Sequence, residues 1–155
     1  MDVKYLNLYN LFVKLTTNKN LYQSLSKQDT FSDRLTLFLF HFAFFLKVFK
    51  KNENTEILQE IYDFIFRQIE LSIREIGYGD QSINKKMKDY INIFHGIVST
   101  IHFWEKMDVN KREEEISIYL KDFNEKKYLI EYFDQFRVNL SKKTLNSFLK
   151  SVSNH

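Results

Sequence analysis

Cysteine is absent from the 155 residues, which removes disulfides, thiolate zinc sites and cysteine nucleophiles together and fits a reducing compartment. Proline is absent too, and there are only three glycines. Helices in such a chain run uninterrupted, whereas a strand-rich domain would need many more turn residues. Neither sign of charge is in excess. The 23 basic and 20 acidic residues leave a net charge of +3, too balanced for a dedicated nucleic-acid binder, and no direct nucleic-acid contact is expected. A membrane span needs about 20 apolar residues, but here Arg34 and Lys47 enclose a shorter run that contains Thr36 and His41. No secretory leader is read at the start, where Asp2, Asn7, Asn10 and Lys14 break the apolar positions. The expected location is cytoplasmic.

What the chain does have is apolar and above all aromatic bulk: 44% hydrophobic residues, with 16 Phe and 9 Tyr. That is enough for one domain spanning residues 1–155 with a large core. Apolar periodicity predicts a first helix from Asp2 to Leu15, an interruption at Asn18 to Asn20, a short helix around Leu21 and Leu25, and a loop from Ser26 to Thr30. The next helix, from Phe31 or Ser32 to Lys50, is hydrophobic nearly all round, as expected of a central helix enclosed by others.

A helix capped by Asn54 or Thr55 then runs to Ile76, with Ile57, Ile61, Ile65, Ile69 and Ile76 in one stripe. Asp63 with Arg67 and Glu70 with Arg74 have the spacing and order of helix-surface ion pairs. Gly77 and Gly79 mark a corner where positive φ is expected, Gly77 as the cap. Ser82 is placed to cap the following helix and Asp80 to complement its dipole. That helix extends from Ser82 to about Met107, with Lys85, Lys86 and Lys88 crowding its first turns against the dipole. Gly96 lies inside it, and a glycine there costs roughly 0.5 to 1 kcal/mol relative to alanine. Close approach of another helix is the expected compensation. Three shorter helices follow, around Ile116 to Phe123, Tyr128 to Phe136 and Leu145 to Val152. The expected fold is an all-α bundle of seven or eight helices built around a long helical hairpin.

Catalytic patterns are missing. His95 and His102 are seven apart rather than four, and no Glu-x-x-His pair of a di-iron bundle occurs. Gly77-Tyr78-Gly79 follows a helix and lacks the later glycine of a dinucleotide loop. His41 reads as a buried polar residue with a hydrogen-bond partner, and Lys111-Arg112-Glu113-Glu114-Glu115 as a solvated helix start. No metal or cofactor is expected.

Three blocks carry a family likeness. The first is Gln28-Asp29-Thr30-Phe31-Ser32-Asp33-Arg34-Leu35 with the hydrophobic helix and His41 behind it. The second is Ile61-Tyr62-Asp63-Phe64-Ile65-Phe66, Glu70, Arg74-Glu75-Ile76-Gly77-Tyr78-Gly79-Asp80 and Lys85-Lys86-Met87-Lys88; the third is Ile93-Phe94-His95-Gly96. In order and spacing they resemble the assembly chaperones of ubiquinol:cytochrome c reductase, respiratory complex III, and the Arg-Glu-x-Gly-x-Gly-Asp element is the specific part. The chain departs from the common family pattern at Asp33-Arg34-Leu35, where Gly-Arg-Phe is usual, and at His95-Gly96-Ile97, where Tyr-Gly-Arg is usual. Without a long N-terminal extension it looks like a bacterial form.

The resemblance implies a non-enzymatic, all-helical protein that binds newly made cytochrome b, in peripheral contact with the cytoplasmic face of the inner membrane. A small helical partner protein and the ribosome are further partners in mitochondrial relatives. Candidate anchors for the client are Arg34, Asp63, Glu70, Arg74, Glu75, Asp80, Lys85, Lys86 and Lys88. Asp63, Arg74, Glu75 and Asp80 can equally be structural, capping and bridging the hairpin. The competing functions are a helical adaptor that recognises a soluble partner helix and a helical lipid or isoprenoid enzyme, which would need an aspartate-rich metal cluster the chain does not show.

Overall fold

The computed structural model describes residues 3–22 and 31–153. Among these the regular structure is entirely helical: α1 (Val3–Thr16), α2 (Lys19–Tyr22), α3 (Phe31–Phe49), α4 (Thr55–Ile76), α5 (Asp80–Ile101), α6 (Val109–Tyr119), α7 (Lys126–Ser141) and α8 (Leu145–Ser153). Single 3-10 turns occupy Asn52–Asn54 and Trp104–Lys106. The expected contribution of Leu25, the loop from Ser26 to Thr30 and the Gln28-Asp29-Thr30 start of the first family block lie outside the described residues, as do Asp2 and His155.

The centre of the bundle is α3. Every residue from Leu35 to Phe45 is buried, so each side of the helix needs a neighbour, and each side has one. Phe42 stacks on Phe94 of α5 at 5.1 Å and meets Phe12 of α1 at 6.0 Å. Phe44 lies between Trp104 at 5.2 Å and Phe133 of α7 at 5.3 Å. Phe45 reaches Phe148 of α8 at 5.8 Å. Aromatic pairs at these separations contribute about 0.5 to 1.5 kcal/mol each beyond the area they bury.

The α4–α5 hairpin forms beside α3, with α5 packed directly against it. Ile61, Ile65, Ile69 and Ile73 bury the stripe of α4, while Ile76, at the end of the stripe, is 50% exposed, with no helix of the described residues covering that last turn. Gly77 is left-handed at φ 106° and its N–H donates to the Arg74 carbonyl at 3.0 Å. Gly79 is not: its backbone is extended, with φ −74° and ψ 165°. The helix therefore starts earlier than expected, at Asp80, which leaves Ser82 inside the first turn with no capping hydrogen bond. It also ends earlier, at Ile101, and Trp104 occupies the separate 3-10 turn that follows.

Other caps differ from expectation in the same local way. Lys19 and Asn20 belong to α2 rather than to a break, because the Asn18 side chain accepts the Asn20 N–H at 3.0 Å and starts a new helix. Asn54 holds the N-cap position of α4 as expected, but its side chain makes no capping bond; its amide donates to the Phe49 carbonyl at 2.8 Å and ties off the end of α3. The Asp108 carboxylate caps α6 by accepting the Lys111 N–H at 2.8 Å. A polar seam then joins α6, α7 and the Trp104 turn. Asp134 accepts from Trp104 Nε1 and from Arg112 Nη1, each at 2.7 Å, and the Arg112 guanidinium lies 4.8 Å from the Trp104 ring. Arg112 is thus turned inward, while Lys111 pairs with Glu115 at 3.1 Å on the surface.

At Gly96 the close neighbour is a side chain at the end of α6 rather than a crossing backbone. A Cβ there would collide with the Tyr119 hydroxyl and meet its Cζ at 3.4 Å, while the Tyr119 ring itself packs on Phe40 at 6.0 Å. Removing the hydroxyl should therefore release the helix gain of about 0.5 to 1 kcal/mol that Gly96→Ala cannot otherwise realise. A thermodynamic cycle of Gly96→Ala and Tyr119→Phe, followed by urea unfolding, is expected to show a coupling of about 1 kcal/mol; strict additivity would mean that the hydroxyl yields freely.

Candidate functional site

An apolar groove opens where α1, the first turns of α3 and the second half of α4 meet. Tyr9, Val13 and Thr16 of α1, Phe31, Arg34, Leu35 and Phe38 of α3, and Ile69 and Ser72 of α4 line it, and it encloses about 180 Å³. Two hydrogen bonds hold its α1 wall against α4: Tyr9 with Ser72 at 3.1 Å and Tyr5 Oη to Glu60 at 2.7 Å. Phe31 and Val13 are partly exposed at its edge. Arg34 is the charged residue of its lining. Such a surface can take an aliphatic or aromatic side chain beside a basic residue.

The other charged candidates gather elsewhere, at the tip of the hairpin. Arg74 donates to Asp80 across the turn at 2.8 Å, and this hydrogen bond, with the nearby Glu70 charge as a smaller contribution, raises the guanidinium pKa further. Glu75 is exposed, Glu70 half-buried. Lys86 lies 4.5 Å from the centre of the Tyr78 ring, a cation–π contact. Lys85 and Lys88 are exposed beside it. The same tip leaves Leu71, Ile76 and Tyr78 open to solvent. It therefore combines apolar contact area with charges of both signs.

Asp63 is not part of that tip. Twelve residues separate it from Glu75, about 18 Å along the helix. Its carboxylate accepts from Gln59 Nε2 at 3.0 Å instead of meeting Arg67, and together with burial, the larger cause, it raises the pKa of the Tyr62 phenol. Sequence reading missed the groove walls Tyr9, Val13, Ile69 and Ser72. It also missed a second cavity at the far end of α3, lined by Leu46, Lys47, Lys50, Lys51, Thr55, Leu58, Gln59, Tyr62, Val98 and His102 and enclosing about 420 Å³. The available signal for that cavity was the cluster Lys47, Lys50 and Lys51 at a helix end.

The three described histidines, His41, His95 and His102, are tied to neighbouring groups. Tyr62 Oη and His95 Nε2 are 3.2 Å apart, and the His102 ring packs edge-on against Phe103 at 4.7 Å. His41 is fully buried, as expected, with Nδ1 2.7 Å from the Leu37 carbonyl and Nε2 2.6 Å from the Tyr132 hydroxyl. The carbonyl can only accept, so Nδ1 carries the proton and Tyr132 donates to Nε2. Phe133 and Phe136 flank the ring at 5.1 and 5.0 Å. Among the described residues, no helix is long and apolar enough to cross a membrane, and no group of three or more His, Cys, Asp or Glu is placed to hold a metal ion.

A family model described as ubiquinol-cytochrome C chaperone matches residues 23–102, just over half of the chain. The matched region takes in α3, α4 and α5, and hence most of the groove, all of the hairpin tip and the second cavity. Searches of curated proteins and of solved structures found no match.

Burial pushes the His41 imidazole down to about 4, against the opposing pull of the Leu37 carbonyl. In the unfolded chain a histidine titrates near 6.5. Between these values the unfolded state holds more of the proton, so this contribution rises with pH and is complete above the unfolded value. The stability gap between the wild type and His41→Asn should accordingly narrow by on the order of 3 kcal/mol as the pH falls from 7 to 4. Chemical denaturation across that range checks it, and a gap independent of pH would show that the ring can take up a proton in place.

Proposed function

This chain belongs to the ubiquinol-cytochrome C chaperone family, and we propose that it binds newly made cytochrome b and holds it through the early assembly of ubiquinol:cytochrome c reductase. The observation that carries this reading is that the family match covers α3 to α5, the part of the chain that supplies most of the groove and the whole hairpin tip. A polytopic membrane protein exposes apolar helices before its haems and partner helices are in place. An apolar groove can cover a projecting side chain of such a segment without any covalent chemistry.

Charge supplies orientation. Arg34 in the groove and Arg74, Glu75, Asp80, Lys85, Lys86 and Lys88 at the tip would meet the polar loops of the client, with Glu70 beside them. Asp63, set apart on α4, would act as a separate anchor. The three lysines also suit peripheral contact with the cytoplasmic face of the inner membrane, where an anionic surface attracts basic segments by about 1 kcal/mol per residue. A small helical partner and the ribosome remain proposed partners of the same kind, engaged through surfaces rather than reaction. The activity is binding, with no catalytic step and no cofactor.

The test is capture from the mildly solubilised cells of its source. Tagged protein should bring down cytochrome b that lacks its later partner subunits, and capture should fall in a Val13→Glu variant, which puts a charge in the groove wall. Reversing Lys85, Lys86 and Lys88 to Glu should leave helicity unchanged and weaken client or membrane association, more so at low salt. Recovery of an unrelated soluble protein in place of cytochrome b would favour the adaptor reading instead.

A further inference from the structure

We infer that the cavity between the end of α3, the start of α4 and the end of α5 is a binding site for an anionic phospholipid. Its lining divides chemically. Leu46, Leu58 and Val98 form an apolar wall, with the Tyr62 ring alongside, while Lys47, Lys50, Lys51 and His102 supply the polar side. No carboxylate is among the described lining residues. Its volume of about 420 Å³ falls within the range of small-molecule sites.

The three lysines are not equivalent. Lys47 is already engaged, pairing with Glu105 at 3.1 Å and donating to the His102 carbonyl at 3.0 Å. Lys50 and Lys51 are exposed and form no ion pair among the described residues. Two uncommitted cations therefore stand beside an apolar wall, which is the arrangement that takes a phosphate together with the first carbons of an acyl chain. A free inorganic anion would leave the wall unused, and a neutral apolar ligand would leave the lysines unused. Next to His102, the Phe103 ring is 55% exposed, an aromatic placed to enter the interfacial layer from which such a lipid would come.

The site lies away from the groove and the hairpin tip, so its test does not depend on the identity of the client. Calorimetric titration of the whole protein with monomeric lysophosphatidylglycerol should show binding at one site. Zwitterionic lysophosphatidylcholine should bind about tenfold more weakly, the order of effect expected of one to two lysines close to an anionic group. Inorganic phosphate should neither bind measurably nor displace the lipid.

Two variants probe the two halves of the lining. Lys50→Gln combined with Lys51→Gln removes the free cations at exposed positions, and Val98→Phe fills the apolar side with every charge retained. Each is expected to lower affinity for the anionic lysolipid about tenfold, with melting temperature measured in parallel. Equal affinity for the two lysolipids, displacement by phosphate, or wild-type affinity in the lysine variant would overturn the assignment. The lysine variant decides the matter if Val98→Phe does not fold, because its changes are on the surface.

Discussion

The structure depends on the need to enclose α3. A helix with one apolar stripe can lie on a surface, but one that is apolar on every side is stable in water only when other helices cover its whole circumference. The unbroken buried run from Leu35 to Phe45 dictates the rest of the arrangement: α1, α5 and α7 are the covering elements, and α8 closes the remaining side through Phe148 against Phe45 and Phe49. The one polar side chain of α3 with ionisable chemistry in that run, His41, is tolerated because both ring nitrogens have partners, Leu37 and Tyr132. Leaving either unpaired would cost about 1 to 3 kcal/mol. The contact with Tyr132 also fixes how α7 sits on α3, since a hydrogen bond is directional where stacked rings are less so.

Enclosure is incomplete at the two ends of α3, and an opening with apolar walls lies at each. Near Phe31 and Arg34 the wall is made by α1 and α4; near Leu46 and Lys50 it is made by α4 and α5. Both openings are apolar inside and basic at the rim. The hairpin tip is different in kind, since it projects Leu71, Ile76 and Tyr78 past the last covering helix. The Arg74–Asp80 pair closes the turn there, so one pair of the candidate charges has a structural partner, while Glu75, Lys85 and Lys88 stand exposed.

How much of this could be read from the sequence follows from the range of the interactions. The eight-helix order, the enclosure of α3 and the left-handed Gly77 follow from periodicity, composition and backbone sterics within a few residues. Gly79 and Ser82 differ from expectation because the Gly79 carbonyl accepts the Ile83 N–H at 2.9 Å, which starts α5 two residues ahead of the expected cap. Arg112 reads as solvated within a charged run, yet Asp134, 22 residues further on, and the Trp104 carbonyl draw it inward. The charged tip was legible because its members are neighbours in the chain. The groove was not, since Val13, Arg34 and Ile69 come from three helices and nothing in their individual patterns announces that they meet.

The geometry also bears on whether a client and a lipid would compete. Arg34 and Lys47, one from each lining, are thirteen residues apart on α3, about 20 Å along its axis. No residue lines both openings, so an occupant of one does not reach the other. The α4 helix borders both, with Thr55, Leu58, Gln59 and Tyr62 at one and Ile69 and Ser72 at the other. A shift of α4 against α3 would therefore alter the two together. Because the Tyr5–Glu60 and Tyr9–Ser72 hydrogen bonds tie α4 to α1 at two points, such a shift has to carry α1 with it or break those bonds. Simultaneous occupancy with the helices held in place is the arrangement the packing favours.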